Sequence, residues 1–595
     1  MLPQHQIEQR LQAAVKSVLP DADVSSVLVR PCPDPKFGDY QSNALMSLAK
    51  ARRMNPRQLA TDVLAKLELK DICEKVDVAG AGFLNFRLNP SALAAALASA
   101  AKGEHLFFDG AAQPRTIVID FSSPNVAKPM HVGHIRSTVL GECLARIFRL
   151  LGHRVITDNH LGDWGTQFGM LIVGWKTLLD REKLRTDPLA EMERIYKTIS
   201  GQCDPDKPGF DANTLDSARS ELVKLQAGDA ENLGIWHEMI RLSQAQFDAI
   251  YGRLGVKFDY TLGESFYNPQ LPGTVQALME RGLAVETRGA KAIFSDGSMP
   301  PKDDPFLIHR EGEWAANPFI VQKTDGGFNY ATTDLATLAH RIGQWHAQEI
   351  IYVTDGRQQL HFRQLFAAFR RWRPDASATR LAHVWFGSIL GEDGKPFKTR
   401  SGDTIRLSEL LDEAEERAAK VVMEKSPELP EAQKNEIARV IGVGAVKYAD
   451  LLPNRQSDYV FSWDKLLALN GNTAPYLQYA YARIRSIFRK GGVENLESIL
   501  QSGVLKLAAP EELALGKHLL NFGLVLEGAA DEYRPNFLCN YLYELAGHFT
   551  SFYENCPVLK SEGQTRNTRL VLCDLTARVL KQGLELLGIQ TLEQM

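Results

Sequence analysis

Cysteine is scarce and unpatterned: Cys32, Cys73, Cys143, Cys203, Cys539, Cys556 and Cys573 are the only ones in 595 residues, and none is spaced as CxxC. That excludes a disulfide framework and a thiolate zinc site, and predicts reduced, mostly buried thiols. Long apolar runs are lacking too. No window approaches the roughly 18 uncharged apolar residues of a membrane span, and the longest candidate, residues 91–101, is alanine-rich and too short. The first residues, MLPQHQIEQRL, set Glu8 and Arg10 where a signal peptide would be apolar, so a cytoplasmic chain without membrane contact is expected. Neither charge is in excess: 68 Lys+Arg against 72 Asp+Glu leaves −4, so any polyanion site must be local. With 45 Gly, 28 Pro and no internal repeat, collagen-like and low-complexity architectures are excluded.

What is present is the composition of a folded protein, 44% apolar and 24% charged, at a length that ordinary domain sizes divide into three to five units. Ile7, Leu11, Val15 and Val18 recur at helical spacing and predict an opening amphipathic helix. The segment FGDYQSNALMSLAKARRMNPRQLA (37–60) predicts another, carrying Lys50, Arg52, Arg53 and Arg57. Two readings stand for that basic cluster: a solvated helix face, or a patch for the backbone of a polyanion. GAGFLNFRL (80–88) predicts an edge hairpin or strand, and the alanine-rich run after it closes an α+β module over 1–109. Asp109, Gly110 and Pro114 supply the linker.

RTIVIDF (115–121) is short and almost wholly apolar, as a buried parallel strand is. HRVITDN (153–159), EIIYVTD (349–355) and HVWFGSI (383–389) are further buried-strand candidates, separated by helical stretches. The alternation predicts an α/β, doubly wound parallel-sheet, Rossmann-like core over 110–405, with polar, irregular insertions at about 180–300. From 406 helix signals dominate. They predict a helical connector over 406–470 and an all-α bundle over 471–595, which is either a face for a large partner or a plain packing domain.

The segment DFSSPNVAKPMHVGHIRST (120–138) holds the most chemistry. Pro129 suits a first helical turn, and His131 and His134, three apart, are then expected on one side of the new helix. Unpaired N–H groups at a helix start make an anion site, Lys128 adds a charge, and Gly133 lets a flat ring lie against the backbone. Such geometry suits a nucleoside triphosphate attacked at its α-phosphate. A zinc site fails on spacing, since it needs histidines four apart with Glu beside the first, where Val132 stands. Two helix-start histidines without a ligand are the plainer reading of an isolated HxxH; the strand–loop–helix frame weighs against it.

Ser122, Ser123, Pro124, Asn125, Ala127, Lys128, Pro129, His131, Gly133, His134, Arg136, Ser137 and Thr138 together resemble the HIGH signature of class I aminoacyl-tRNA synthetases, in its arginyl version. NHLGDWGTQFG (159–169), FNYATTDLATLAHR (328–341), RQQLHF (357–362), GKPFKTRSGDT (394–404) and LQYAYARIRSI (477–487) are similar to that family's other marks, in the same order. FGDYQSNALMSLAK (37–50) and GAGFLNF (80–86) look like its N-terminal domain. A cysteinyl-type synthetase would need zinc-binding cysteines, which the spacing here does not offer.

The resemblance implies an arginine–tRNA ligase, which activates L-arginine with ATP and Mg²⁺, releases pyrophosphate, and passes arginine to the terminal adenosine of its tRNA. It implies that His131, Gly133, His134 and Lys128 bind ATP. Lys398 and Arg400, in FKTRS (397–401), would stand where the family has its KMSKS lysines, with Lys128 compensating for the second. Asn125, Asp120, Ser123, Tyr330, Asp334 and Gln358 are implied to bind arginine. Of these, Asp334 and Tyr330 share one helix face around the side chain, and Asn125, Asp120 and Gln358 meet the α-amino and carboxylate groups. Lys50, Arg52, Arg53 and Arg57 become tRNA phosphate contacts, and the 471–595 bundle binds the anticodon. The resemblance further implies that activation awaits bound tRNA. A monomer without a structural metal is expected. Asp163 and Trp164 fall in a family mark with no physical role assigned.

Overall fold

Arg380–His383, Glu349–Tyr352, Thr116–Asp120 and Arg154–Asp158 lie side by side in that order, every pair parallel. Ile117, Val118, Ile119, Ile350 and Ile351 are wholly buried, because a parallel sheet is covered on both faces. The computed structural model describes residues 2–397, 404–493, 496 and 505–595, and the chain divides into two units. One comprises Ala111–Lys420 and Ala445–Leu466 and contains this sheet. The sheet's spatial order reverses between Thr116–Asp120 and Glu349–Tyr352, so a crevice opens at their carboxyl ends. The segments leaving those ends are 121–132 and 353–358.

Two expectations for this unit are corrected. HVWFGSI (383–389) is not one strand: the strand is Arg380–His383, Phe386 makes an isolated parallel bridge to Asp355, and Ile389–Leu390 pairs in parallel with Tyr459–Val460. Val384 and Phe386 are buried without being in a strand, so the apolar run signalled burial, whereas the edge strand itself is half polar. The 180–300 stretch is also far more regular than its polarity suggests. It folds as helices Arg181–Thr186, Pro188–Cys203, Ala212–Gln226, Ala230–Leu254 and Leu271–Glu280, followed by short antiparallel strands. Asp180, Asp187, Asp211 and Asp229 cap the first four, each carboxylate accepting backbone N–H groups of the turn it precedes. Leu189, Met192, Ile195 and Ile199 form the buried stripe of one of them.

The other unit comprises Met1–Gly110, Val421–Gly444 and Leu467–Met595. Its sheet runs Arg30–Pro31, Tyr40–Ser42, Phe83–Leu88, Cys73–Ala79, all antiparallel. Phe83–Leu88 was expected at an edge but lies inside, since Leu84, Phe86 and Leu88 are buried between two neighbours. The single helix expected over 37–60 is two, Ala44–Ala51 and Pro56–Leu64. The break falls where Arg53 takes a φ of 55° and Asn55 caps the second helix. Helices Ala474–Gly491, Pro510–Leu520, Phe522–Asp531, Asn536–Asn555 and Gly563–Leu586 bury Leu515, Leu519, Leu526, Leu545, Leu572 and Leu580. No helix among the described residues is long and apolar enough to cross a membrane.

Candidate active site

The chain leaves the first strand at Asp120 and turns through Ser122, Ser123 and Ala127 at φ of 70°, 47° and 63°. Left-handed backbone at non-glycine residues costs roughly 1–3 kcal/mol each and persists only where the surroundings enforce it. Here they do. Ser122 N–H donates to Ser137 Oγ at 2.8 Å, and Ser123 N–H to Asn159 Oδ1 at 3.0 Å. Ala127 N–H donates to Ser243 Oγ at 3.0 Å, while the Ser122 and Tyr251 hydroxyls meet at 2.8 Å. Ser243 and Tyr251 belong to the Ala230–Leu254 helix, so an insertion helix braces the loop.

The helix that follows begins at Gly133 and not at Pro129, with Val132 before it and His131 paired in a β-bridge with Arg406. The histidines therefore do not share a helix face, yet the turn brings their ring centroids to 4.0 Å. His131 N–H donates to His134 Nδ1 at 3.0 Å, and Gly133 N–H to His131 Nδ1 at 3.1 Å. Each Nδ1 is thus an acceptor, which puts the ring proton on Nε2. Burial, then the neighbouring His131, pushes His134 down to about 3; burial, then the Arg357 guanidinium, lowers His131. Both rings are neutral Nε2–H donors near pH 7. Lys128 is exposed, its Nζ 4.9 Å over the Tyr196 ring.

Gly141 carries this helix against the strand end, because a Cβ there would sit 2.2 Å from the Phe121 ring. Gly141→Ala is expected to cost about 1–3 kcal/mol, read as a lowered Tm. An unchanged Tm would show that the helix does not depend on this approach.

The second half of the site is a stripe of the Tyr330–Gly343 helix, where Tyr330, Asp334, Thr337 and Arg341 follow one another at helical spacing. Tyr330 is exposed, with its ring 4.8 Å from that of His361, and Asp334 Oδ2 lies 2.6 Å from His361 Nε2. Glu264 faces the same carboxylate: burial, then the charges of Asp334 and Asp163, push it up to about 8. Asp163 is fastened by Ser265, whose N–H and Oγ donate at 2.8 and 2.6 Å, and Trp236 Nε1 donates to the Asp163 carbonyl at 2.8 Å. At the far end of the stripe Arg341 is fully buried, its Nη2 2.7 Å from both Asp120 Oδ2 and Asp158 Oδ2. Crowded carboxylates suit a cationic group, and neutral N–H donors suit the oxygens of a polyphosphate.

A family profile described as tRNA synthetases class I (R), catalytic domain, matches residues 95–463, more than half of the chain. The chain belongs to the class I arginyl-tRNA synthetases. Profiles for the arginyl tRNA synthetase N terminal domain and the DALR anticodon binding domain match residues 5–88 and 477–595. It is 46% identical to the arginine–tRNA ligase of Hahella chejuensis and 45% to that of a Synechococcus species, each over 100% of both chains. Among solved structures, the arginyl-tRNA synthetase of Thermus thermophilus is 26% identical with a TM-score of 0.83, covering 100% of both chains. That of Plasmodium falciparum is 28% identical at 0.82, covering 100% of this chain and 99% of its own. The reaction of the family is the ligation of arginine to tRNA, with ATP as substrate.

In this synthetase His131, Gly133 and His134 come together on one turn, and Lys128 lies on the loop before it. Asn125 is exposed beside Gly162, where a Cβ would lie 2.1 Å from its Oδ1. Gln358 is exposed at the end of the turn Gly356–Gln358. Asp120 meets Arg341 through Oδ2 at 2.7 Å and accepts the Ser123 hydroxyl at 2.9 Å, so it also holds the loop. Lys398 and Arg400 lie outside the described residues. Lys50, Arg52, Arg53 and Arg57, in the other unit, are exposed, and none pairs with a carboxylate among the described residues. Glu264 was missed in the sequence, where it sits in a polar stretch with no motif around it.

Proposed function

We propose that the residues gathered here carry out arginine activation in two sub-sites. Glu264 and Asp334 face the guanidinium, Tyr330 covers it, and Asn125 and Gln358 meet the α-amino and carboxylate groups. Asp120 and Ser123 keep the loop in register. His131 and His134 donate from Nε2 to oxygens of the triphosphate, and Lys128 adds charge where the arginine carboxylate attacks the α-phosphorus and pyrophosphate leaves. Donors fixed before reaction stabilise the charge that grows on those oxygens without having to reorganise. Mg²⁺ would arrive on the triphosphate. It would neutralise phosphate charge there. Lys398 and Arg400 belong to the same phosphate site in this reading. The 471–595 helices take the anticodon stem, and Lys50, Arg52, Arg53 and Arg57 contact tRNA phosphates.

The observation that carries this reading is Glu264, a carboxyl held near 8 by burial and by two other acids. Such a pocket is short of positive charge, and guanidinium, always protonated, supplies it. The sign follows. A raised pKa leaves Glu264 mostly protonated at pH 7, and a bound cation favours its ionised form, so binding expels a proton. The KM for arginine, measured with tRNA present, should therefore fall as pH rises from 6 to about 8 and then level off. Glu264→Gln should flatten that slope. A flat profile in the unmodified protein would remove Glu264 from the pocket.

A further inference from the structure

Arg136 follows His134 by two residues yet points away from the site, fully buried. Its Nε lies 3.1 Å from Asp450 Oδ1, and its Nη1 donates to the carbonyls of Gly387 and Ser457 at 2.8 and 3.2 Å. Its guanidinium carbon stands 5.1 Å from the Tyr459 ring centre and 5.7 Å from that of Phe386. One side chain thus grips three stretches of chain: 386–387, 450 and 457–459.

Two of these stretches clasp each other tightly. Gly387 N–H donates to the Arg455 carbonyl at 2.9 Å and Ser388 N–H to Asp458 Oδ1 at 2.6 Å. A Cβ at Gly387 would meet Asp458 Oδ1 at 2.6 Å and the Ser457 carbonyl oxygen at 2.8 Å. From Phe386 the connection continues into the site. Phe386 bridges Asp355 in parallel, and its carbonyl accepts Gly356 N–H at 3.0 Å. Asp355 in turn caps the turn through Arg357 N–H at 2.8 Å and holds the Arg357 guanidinium at 2.8 and 2.9 Å. That turn presents Gln358, and the Arg357 guanidinium is, after burial, what lowers His131.

We propose that Arg136, neutralised by Asp450, is a positioning residue that locks the 355–358 turn to the histidine signature through Gly387 and Phe386. Stability alone does not account for it, because a buried ion pair is often replaced by apolar residues at little cost. Two carbonyls held by Nη1 while Nε faces Asp450 are what an apolar replacement cannot reproduce. The inference rests on the reading of the 131–134 and 355–358 turns as parts of one site.

The test is the paired replacement Arg136→Met/Asp450→Leu, which removes both charges together. The measurement is ATP–pyrophosphate exchange with tRNA present, with rates expressed per arginine-binding site titrated by calorimetry. A misplacement of this kind costs about 10–100-fold in rate, so kcat should fall by that factor while the KM for arginine stays within about threefold. A folded double variant whose kcat is within about twofold of the unmodified protein overturns the role. Should the double variant fail to fold, Arg136→Lys and Gly387→Ala decide. The first keeps the charge but has one nitrogen where Nη1 and Nε served the carbonyls and Asp450 separately, and the second pushes Gly387 off Ser457. Both should show the same loss in kcat with KM spared, and normal kcat in both overturns the proposal. His134→Ala measured alongside separates the two claims. An impaired H134A beside an unimpaired double variant defeats the positioning role alone, whereas an unimpaired H134A defeats the site reading beneath it.

Discussion

Asp334→Asn lowers kcat/KM for arginine by at least about a hundredfold, with the fold intact. Asparagine keeps the shape of the side chain and can still meet His361, 2.6 Å away in the unmodified protein, but it brings no charge to the guanidinium. Leaving a buried charge without its partner costs about 3–5 kcal/mol, or two to three and a half powers of ten. The loss has a signature beyond its size. Asp334 is the largest cause after burial of the raised Glu264 value, so removing its charge lets Glu264 ionise at lower pH. The pH at which KM levels off should move down in D334N, and adding Glu264→Gln should cost less in that background than in the unmodified protein. Unchanged kinetics in D334N would remove Asp334 from the pocket.

His134→Ala lowers kcat for adenylate formation by about 10²–10³-fold, the usual loss when one fixed donor to a developing anion is removed. Arginine affinity should stay within a few-fold, because the contact strengthens only as phosphate charge builds. His134 remains neutral down to about pH 3, so the acid side of the kcat profile cannot report its titration and should be unmoved in the variant. His134→Gln, which retains an N–H donor, should recover part of the rate. Normal kcat with weakened arginine binding would place His134 elsewhere than on the phosphates.

How much of this was legible in the sequence varied with the kind of signal. The strand at 116–120 and its neighbours at 154–158 and 349–352 were readable because a strand buried on both faces leaves an unbroken apolar run. The same rule misread 383–389, where Val384 and Phe386 fill a core without lying in a strand. His131 and His134 were found by motif, but the start of their helix was not, since Pro129 fits a loop as well as a first turn. Tyr330 and Asp334 were readable as a helical pair. Arg341, farther along the same stripe, was not taken for part of the site's frame, because an arginine in a helix carries no sign that it will be buried against two aspartates. Glu264 is the sharper case. Its raised value arises from burial and then from Asp334 and Asp163, one distant by about seventy residues and the other by about a hundred, and no local pattern announces such a meeting. The insertion helices, by contrast, were marked by aspartate caps that were passed over in favour of overall polarity.

Whether this chain selects arginine and activates it on ATP for transfer to tRNA is read from ATP–pyrophosphate exchange. The assay is run with Mg²⁺ and each of the twenty amino acids in turn, first without tRNA and then with tRNA for arginine. Exchange should be supported by arginine and by no other amino acid, appear when tRNA is added, and be lost in D334N. Exchange supported equally by another amino acid, or none with arginine when tRNA is present, would contradict that reading.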